Sequence, residues 1–178
     1  LSEWLLDPAG ETRAAAARAL GAMNDAASLP ALIRTLGDTT VEVRIAAIEA
    51  LASLGSPEVV PPLLGRLDDE DVTVRIAAAG ALGGLEDERA VVPLIGRARD
   101  DSAEVRVAVF HALGSLGDTR ALSALALGTR DSVEDARLTA VLALGQLRSP
   151  RAIDPLRALL EQPDIRLRAA ALDALAPI

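Results

Sequence analysis

The sequence predicts an all-α solenoid, in which helical hairpins stack in register and wind into a right-handed superhelix. Two observations predict it. The first is an arginine column at a fixed interval of 31 residues: Arg13, Arg44, Arg75, Arg106, Arg137 and Arg168. The second is that two more columns keep the same register. Asp7, Asp38, Asp69, Asp100 and Asp131 stand six residues before the arginines, with Gln162 the one departure, and Leu20, Leu51, Leu82, Leu113, Leu144 and Leu175 stand seven after them. Self-similarity at a period of about 20 to 50 residues marks a repeat architecture, in which each unit buries its apolar face only against its neighbours.

Residues 1–24 form a partial repeat, with 1–6 as the end of a first helix and 8–22 as a second helix. Full repeats run 25–55, 56–86, 87–117, 118–148 and 149–178, giving one solenoid domain over 1–178. Each full repeat opens on a good N-cap, Asp25, Ser56, Asp87, Asp118 or Ser149. Pro57 and Pro150 follow at the first helical position, where a fixed φ is favourable. A short first helix starts there and ends before the Asp column. Pro62, Pro93 and Pro155 fall inside it, where a missing N–H and a ring clash predict a kink. The second helix, typified by 41–51, is Ala-rich, free of Pro and apolar at helical spacing. It closes near Gly55, Glu86, Gly117 or Arg148, where a left-handed C-cap is expected. The remaining glycines read as repeat punctuation at helix ends. The stack is expected to be weakest around 120 to 140, where Ala136 and Thr139 replace Val and Ala and the first helix loses its usual Leu along 127–130.

Composition removes several function classes. The chain has 178 residues, 51% hydrophobic, long enough to bury most of its apolar surface. With no Cys there is no disulfide, thiolate nucleophile or Cys-based zinc site, and a single His cannot build a multi-histidine metal centre. No metal and no cofactor are expected. Aromatics at 1% leave no stacking platform for bases, and a net charge of −8 opposes attraction to phosphate, so nucleic acid is not an expected partner. No apolar run of about 18 residues that could span a bilayer occurs, nor a charged-then-apolar leader. The expected compartment is cytoplasmic, with no membrane partner. The chain opens on Leu1, inside a repeat, as expected of a piece of a larger array.

The unit Val105-Arg106-Val107-Ala108 through Gly114, followed by Leu116-Gly117-Asp118-Thr119-Arg120-Ala121, resembles the HEAT-like repeats named after phycobilin lyases, and the resemblance runs along essentially the whole chain. It implies a solenoid of helix pairs whose Asp and Arg columns bridge neighbouring repeats. It leaves function open, because that family spans scaffolds, chromophore lyases, a di-iron hydroxylase and DNA-repair enzymes. The hydroxylases hold iron with paired His-Glu dipeptides, whereas Ala112 follows His111 here.

The charged columns Asp38, Arg44, Asp69, Arg75, Asp100, Arg106, Asp131 and Arg137 read as a structural ladder. On a helical wheel Arg44 lies about 20° from Leu51, on the core side, where its stem is buried and its guanidinium needs an acceptor. The opposite face of the second helix carries an apolar stripe, Ile45, Ile76, Val107 and Leu138, with Glu42, Glu104 and Asp135 on one side and Glu49 and His111 on the other. Second helices are expected to line the inner, concave surface of a solenoid. Two readings of the stripe stand: it docks a partner, or curvature packs these side chains against one another. The expected function is a non-catalytic scaffold binding a protein or peptide with apolar anchors and basic flanks. The alternative is a phycobilin-lyase-like enzyme or chaperone subunit, for which one Trp, one Phe and one His offer a poor tetrapyrrole lining. No Ser nucleophile stands beside a base, so no catalytic residue is assigned.

Overall fold

A computed structural model describes residues 1–178; it holds eleven α-helices and no strand. The second helices of the repeats are α1 (Gly10–Ala22), α3 (Val41–Leu54), α5 (Val72–Gly84), α7 (Ala103–Leu116), α9 (Glu134–Gln146) and α11 (Ile165–Leu175). The first helices are the shorter α2 (Leu29–Thr35), α4 (Val60–Leu64), α6 (Val91–Arg97), α8 (Leu122–Gly128) and α10 (Ile153–Leu159). The partial repeat opens on a 3₁₀ helix, Ser2–Leu6.

The chain divides into two compact units, Leu1–Leu85 and Glu86–Ile178, whose border falls within a residue of the 86/87 repeat junction. In the first unit α1 packs on α3 and α3 on α5, with α2 and α4 lying against the second helices of their own repeats. In the second unit α7 packs on α9 and α9 on α11, while α6, α8 and α10 flank them in the same way. The leucine column is the spine of both cores. Leu51, Leu82, Leu113 and Leu144 are fully buried, Leu20 nearly so, and Leu175 on the last helix is half-buried.

The capping residues behave as their chemistry requires. Each cap side chain accepts the N–H two residues on: Asp25 from Ala27, Ser56 from Glu58, Asp87 from Arg89, Asp118 from Arg120 and Ser149 from Arg151. A 3₁₀ turn follows each cap, and only then does the α-helical segment begin. The expected proline kink needs correction here. Pro62, Pro93 and Pro155 are each the third residue of their α segment, where a backbone N–H has no intrahelical acceptor to lose. The same 3₁₀-to-α step is present where Ala31 and Ala124 occupy that position, so the step does not depend on proline.

At the other end of each hairpin a left-handed residue is present in every repeat but the last, 149–178. Asn24, Gly55, Glu86, Gly117 and Arg148 have φ of 51°, 61°, 53°, 64° and 47°. Only the two glycines adopt this conformation without a Cβ penalty. Three other glycines overturn the reading of glycine as punctuation. Gly21, Gly114 and Gly145 lie inside second helices where adjacent helices approach most closely. A Cβ on them would stand 2.6 Å from Cα of Ala50, 3.0 Å from Cα of Ala143 and 2.8 Å from Cα of Ala174. Absence of a side chain is what sets the spacing of α1 on α3, α7 on α9 and α9 on α11.

Candidate functional site

The arginine column performs two tasks. Nη1 of every member donates to the main-chain carbonyl six residues earlier: Arg13 to Asp7, Arg44 to Asp38, Arg75 to Asp69, Arg106 to Asp100, Arg137 to Asp131 and Arg168 to Gln162, at 2.7 to 2.9 Å. In Arg13, Arg44 and Arg106 the rest of the guanidinium reaches the Asp of the following repeat. Arg13 grips Asp38 with two bonds of 2.7 and 2.8 Å, Arg44 holds Asp69 at 2.8 Å, and Arg106 grips Asp131 with two bonds of 2.7 Å. Each carboxylate also accepts an N–H two residues on, from Thr40, Asp71 or Val133, so that it organises the entry to the second helix. Arg75 donates as well to the carbonyl of Glu70, and Asp100 accepts the Ser102 N–H.

The guanidinium hydrogen bonds hold the Asp38 and Asp131 carboxyls below their ordinary range despite partial burial, and the same bonds raise Arg13 and Arg106. Arg44 is 5% exposed, yet its Nε has no partner. The cause is competition: Arg66, which donates to the Leu36 carbonyl, also approaches Oδ2 of Asp69 at 3.5 Å. Arg13, Arg44 and Arg106 thus bond from one repeat to the next, and Nε of Arg44 is the one buried side-chain nitrogen left without a partner.

The outer face of the second helices has a regular exposure pattern. Ile45 and Ile76 in the first unit, and Val107 and Leu138 in the second, are all half-buried, so part of each side chain packs and part meets solvent. Glu42 and Glu49 beside the first pair are exposed, as are Glu104, His111 and Asp135 beside the second. Leu142, one helical turn beyond Leu138, adds another exposed aliphatic side chain. The Ser102 hydroxyl donates to Glu104 at 2.6 Å and holds its carboxyl below the ordinary range. No three imidazole or carboxylate groups gather as metal ligands would, and His111 stands on the surface without such company.

The second unit has grooves on its other side, which the sequence reading missed. One of about 800 Å³ runs between α6 and α8, floored by Ile95, Phe110 and Leu127. Another of about 920 Å³ runs between α8 and α10, lined by Leu122, Leu127, Leu159, Leu167, Arg130 and Arg137. Their origin is compositional. Leu36, Leu67 and Leu160 occupy one column at the end of the first helix, but Ala98 and Thr129 stand in it between them, and these residues line the two grooves. The missing Leu at 129 was the available signal. No helix is long and apolar enough to cross a membrane.

The family model described as HEAT repeats matches residues 1–75, 60–137 and 126–178. Among solved structures, the chain is similar to the complex of CpcE and CpcF of phycocyanin lyase from Nostoc sp. PCC7120. The TM-score is 0.73 at 29% identity, covering 98% of this chain and 74% of that one. It is similar to a designed armadillo repeat protein in complex with the peptide (KR)4, with TM-score 0.72 at 20% identity over 99% of this chain and 97% of that one. It is also similar to human deoxyhypusine hydroxylase, with TM-score 0.52 at 23% identity over 99% and 82%. At their identities the last two share the fold. No curated protein sequence matches the chain.

Proposed function

Since the chain belongs to the HEAT-repeat family, we propose that it is a non-catalytic scaffold that binds a protein or peptide segment along the outer face of its second helices. One observation carries the proposal: an aliphatic stripe, half-exposed at Ile45, Ile76, Val107 and Leu138, with exposed carboxylates beside three of these four steps, Glu42 and Glu49 at the first, Glu104 at the third and Asp135 at the fourth. An apolar strip with a charged rim suits a ligand with apolar anchors and basic flanks. The solved armadillo repeat protein in complex with the peptide (KR)4 supports the basic part of this reading, as a helical-repeat protein with a basic peptide ligand.

The test is isothermal titration with (KR)4 and with a version carrying Leu at every fourth position. Tighter binding of the Leu-bearing peptide, lost when Glu104 and Asp135 are changed to Lys, is the expected result. Failure of both peptides to bind, or unchanged binding by the charge-reversed variant, would overturn the proposal.

A second reading, a subunit that handles a bilin, is favoured by the similarity to the phycocyanin lyase complex. Phe110 is the one aromatic side chain lining either large groove, which is thin cover for a tetrapyrrole. Mixing the protein with phycocyanobilin decides the matter: a red-shifted absorption band supports this reading, and an unchanged spectrum removes it.

A further inference from the structure

The rung at Arg137 is unfinished. Arg13, Arg44 and Arg106 each spend part of the guanidinium on a carbonyl of their own repeat and part on the Asp of the next. Arg137 keeps the first half of this pattern, donating from Nη1 to the carbonyls of Asp131 and Ser132 at 2.8 and 3.2 Å. The residue twenty-five positions on is Gln162, whose exposed side chain makes no bond to it, so Nε and Nη2 of Arg137 hold no acceptor. The backbone at 162 is nevertheless that of the other rungs. Its N–H bonds to the carbonyl of Leu159, as that of Asp131 bonds to Gly128, and its carbonyl receives Arg168.

The open side of this guanidinium belongs to the groove between α8 and α10. Leu127 there is 55% exposed, and Leu122, Leu159 and Leu167 complete an aliphatic wall. Arg130 adds a second positive charge, while the one carboxylate lining the groove, Asp164, is occupied in capping α11 through the N–H groups of Arg166 and Leu167. In a chain of net charge −8 the groove is locally cationic.

We propose that this groove binds an acidic peptide segment, with an Asp carboxylate completing the Arg137 rung and an adjacent aliphatic side chain lying against Leu127 and Leu159. The complete rungs define the ligand. A planar carboxylate facing Nε and Nη2 is what Arg106 receives from Asp131 at 2.7 Å, and two fixed carbonyls already hold Arg137 ready for it. This site is separate from the outer face of the second helices and prefers the opposite charge, so each can fail without the other.

The probe is acetyl-Leu-Asp-Leu-amide, read by NMR at the Nε–H resonance of Arg137, with the Asn peptide and sodium acetate as controls. The Asp peptide should give a saturable shift at least about tenfold tighter than either control, since a bidentate charged pair is lost with Asn. Gln162→Asp should close the rung internally, abolishing the peptide shift and raising Tm by about a few degrees. Arg137→Lys, which keeps the charge but not the fork, should weaken binding in a chain of unchanged helicity. The proposal is overturned if the Asp peptide gives no shift, if the Asn peptide or acetate binds equally well, as an adventitious ion only, or if Gln162→Asp or Arg137→Lys binds as the parent does.

Discussion

Arg106 and Asp131, twenty-five residues apart, meet through two parallel N–H···O bonds of 2.7 Å that tie α7 to the turn before α9. Their side chains are only 13% and 8% exposed. Removing one partner therefore strands the other charge in a poorly hydrated position. Arg106→Ala is expected to cost about 3 kcal/mol in urea unfolding, whereas replacing both residues with Leu should recover much of the loss. Equal losses in the single and double variants would show that packing, not pairing, is the source.

Glycine-to-alanine changes should differ in sign along the chain. In an exposed helix interior Ala is favoured over Gly by about 0.5–1 kcal/mol. Gly80 has open space around it, so Gly80→Ala should stabilise by that amount. At Gly145 the added methyl would sit 2.8 Å from Cα of Ala174, a backbone atom that cannot swing aside. Overpacking then wins, and Gly145→Ala should destabilise by about 2 kcal/mol in thermal unfolding.

Arg148 and Glu86 hold left-handed conformations that Gly55 and Gly117 reach in the equivalent positions without strain. Relieving the Cβ conflict is worth about 1–2 kcal/mol, less what glycine gives back through a looser unfolded chain. Arg148→Gly and Glu86→Gly should each raise stability by about 0.5–1 kcal/mol, with m-values unchanged in denaturant titration.

Acid should loosen the fold through a defined set of carboxylates. Bonds from Arg13, Arg106 and Arg120 lower the carboxyls of Asp38, Asp131 and Asp118, and Arg89 brings Asp87 down to about 2. Because the folded values are depressed, their contribution is fully present above the unfolded carboxylate range near about 4, and it disappears as pH falls through the folded values. Tm should therefore be level from pH 7 to about 5 and fall steadily towards pH 2. Arg106→Ala should flatten part of that fall.

The features readable in sequence were those that repeat locally. The 31-residue period, the caps at Asp25 through Ser149, the left-handed position and the buried leucines depend on residues a few places apart, and the register made each visible several times. Features that depend on distances between helices were not readable. Gly114 looked like punctuation because nothing in its own segment reveals that Cα of Ala143 lies against it. A kink inside the first helix is expected at Pro62, yet Pro62 stands in the first turn of α4, and the 3₁₀-to-α step before it recurs where Ala31 and Ala124 take its place. The outer stripe is legible as a column, but the half-burial of Ile45, Ile76, Val107 and Leu138 depends on how neighbouring helices crowd it. The grooves arise from atoms that Ala98 and Thr129 lack, a kind of signal that a search for motifs passes over.

The double grip of Arg13, Arg44 and Arg106 has a consequence for how such a chain can change length. The carbonyl each holds behind and the carboxylate each holds ahead lie one repeat apart, so the guanidinium works as a gauge. A repeat that gained or lost a residue between those two points would break its rung unless the difference were looped out. The left-handed turns at 24, 55, 86, 117 and 148 lie outside the guanidinium's reach and cap no helix start, so they are where slack can be stored. Length variants of this array should accordingly carry their insertions at those turns and almost nowhere else.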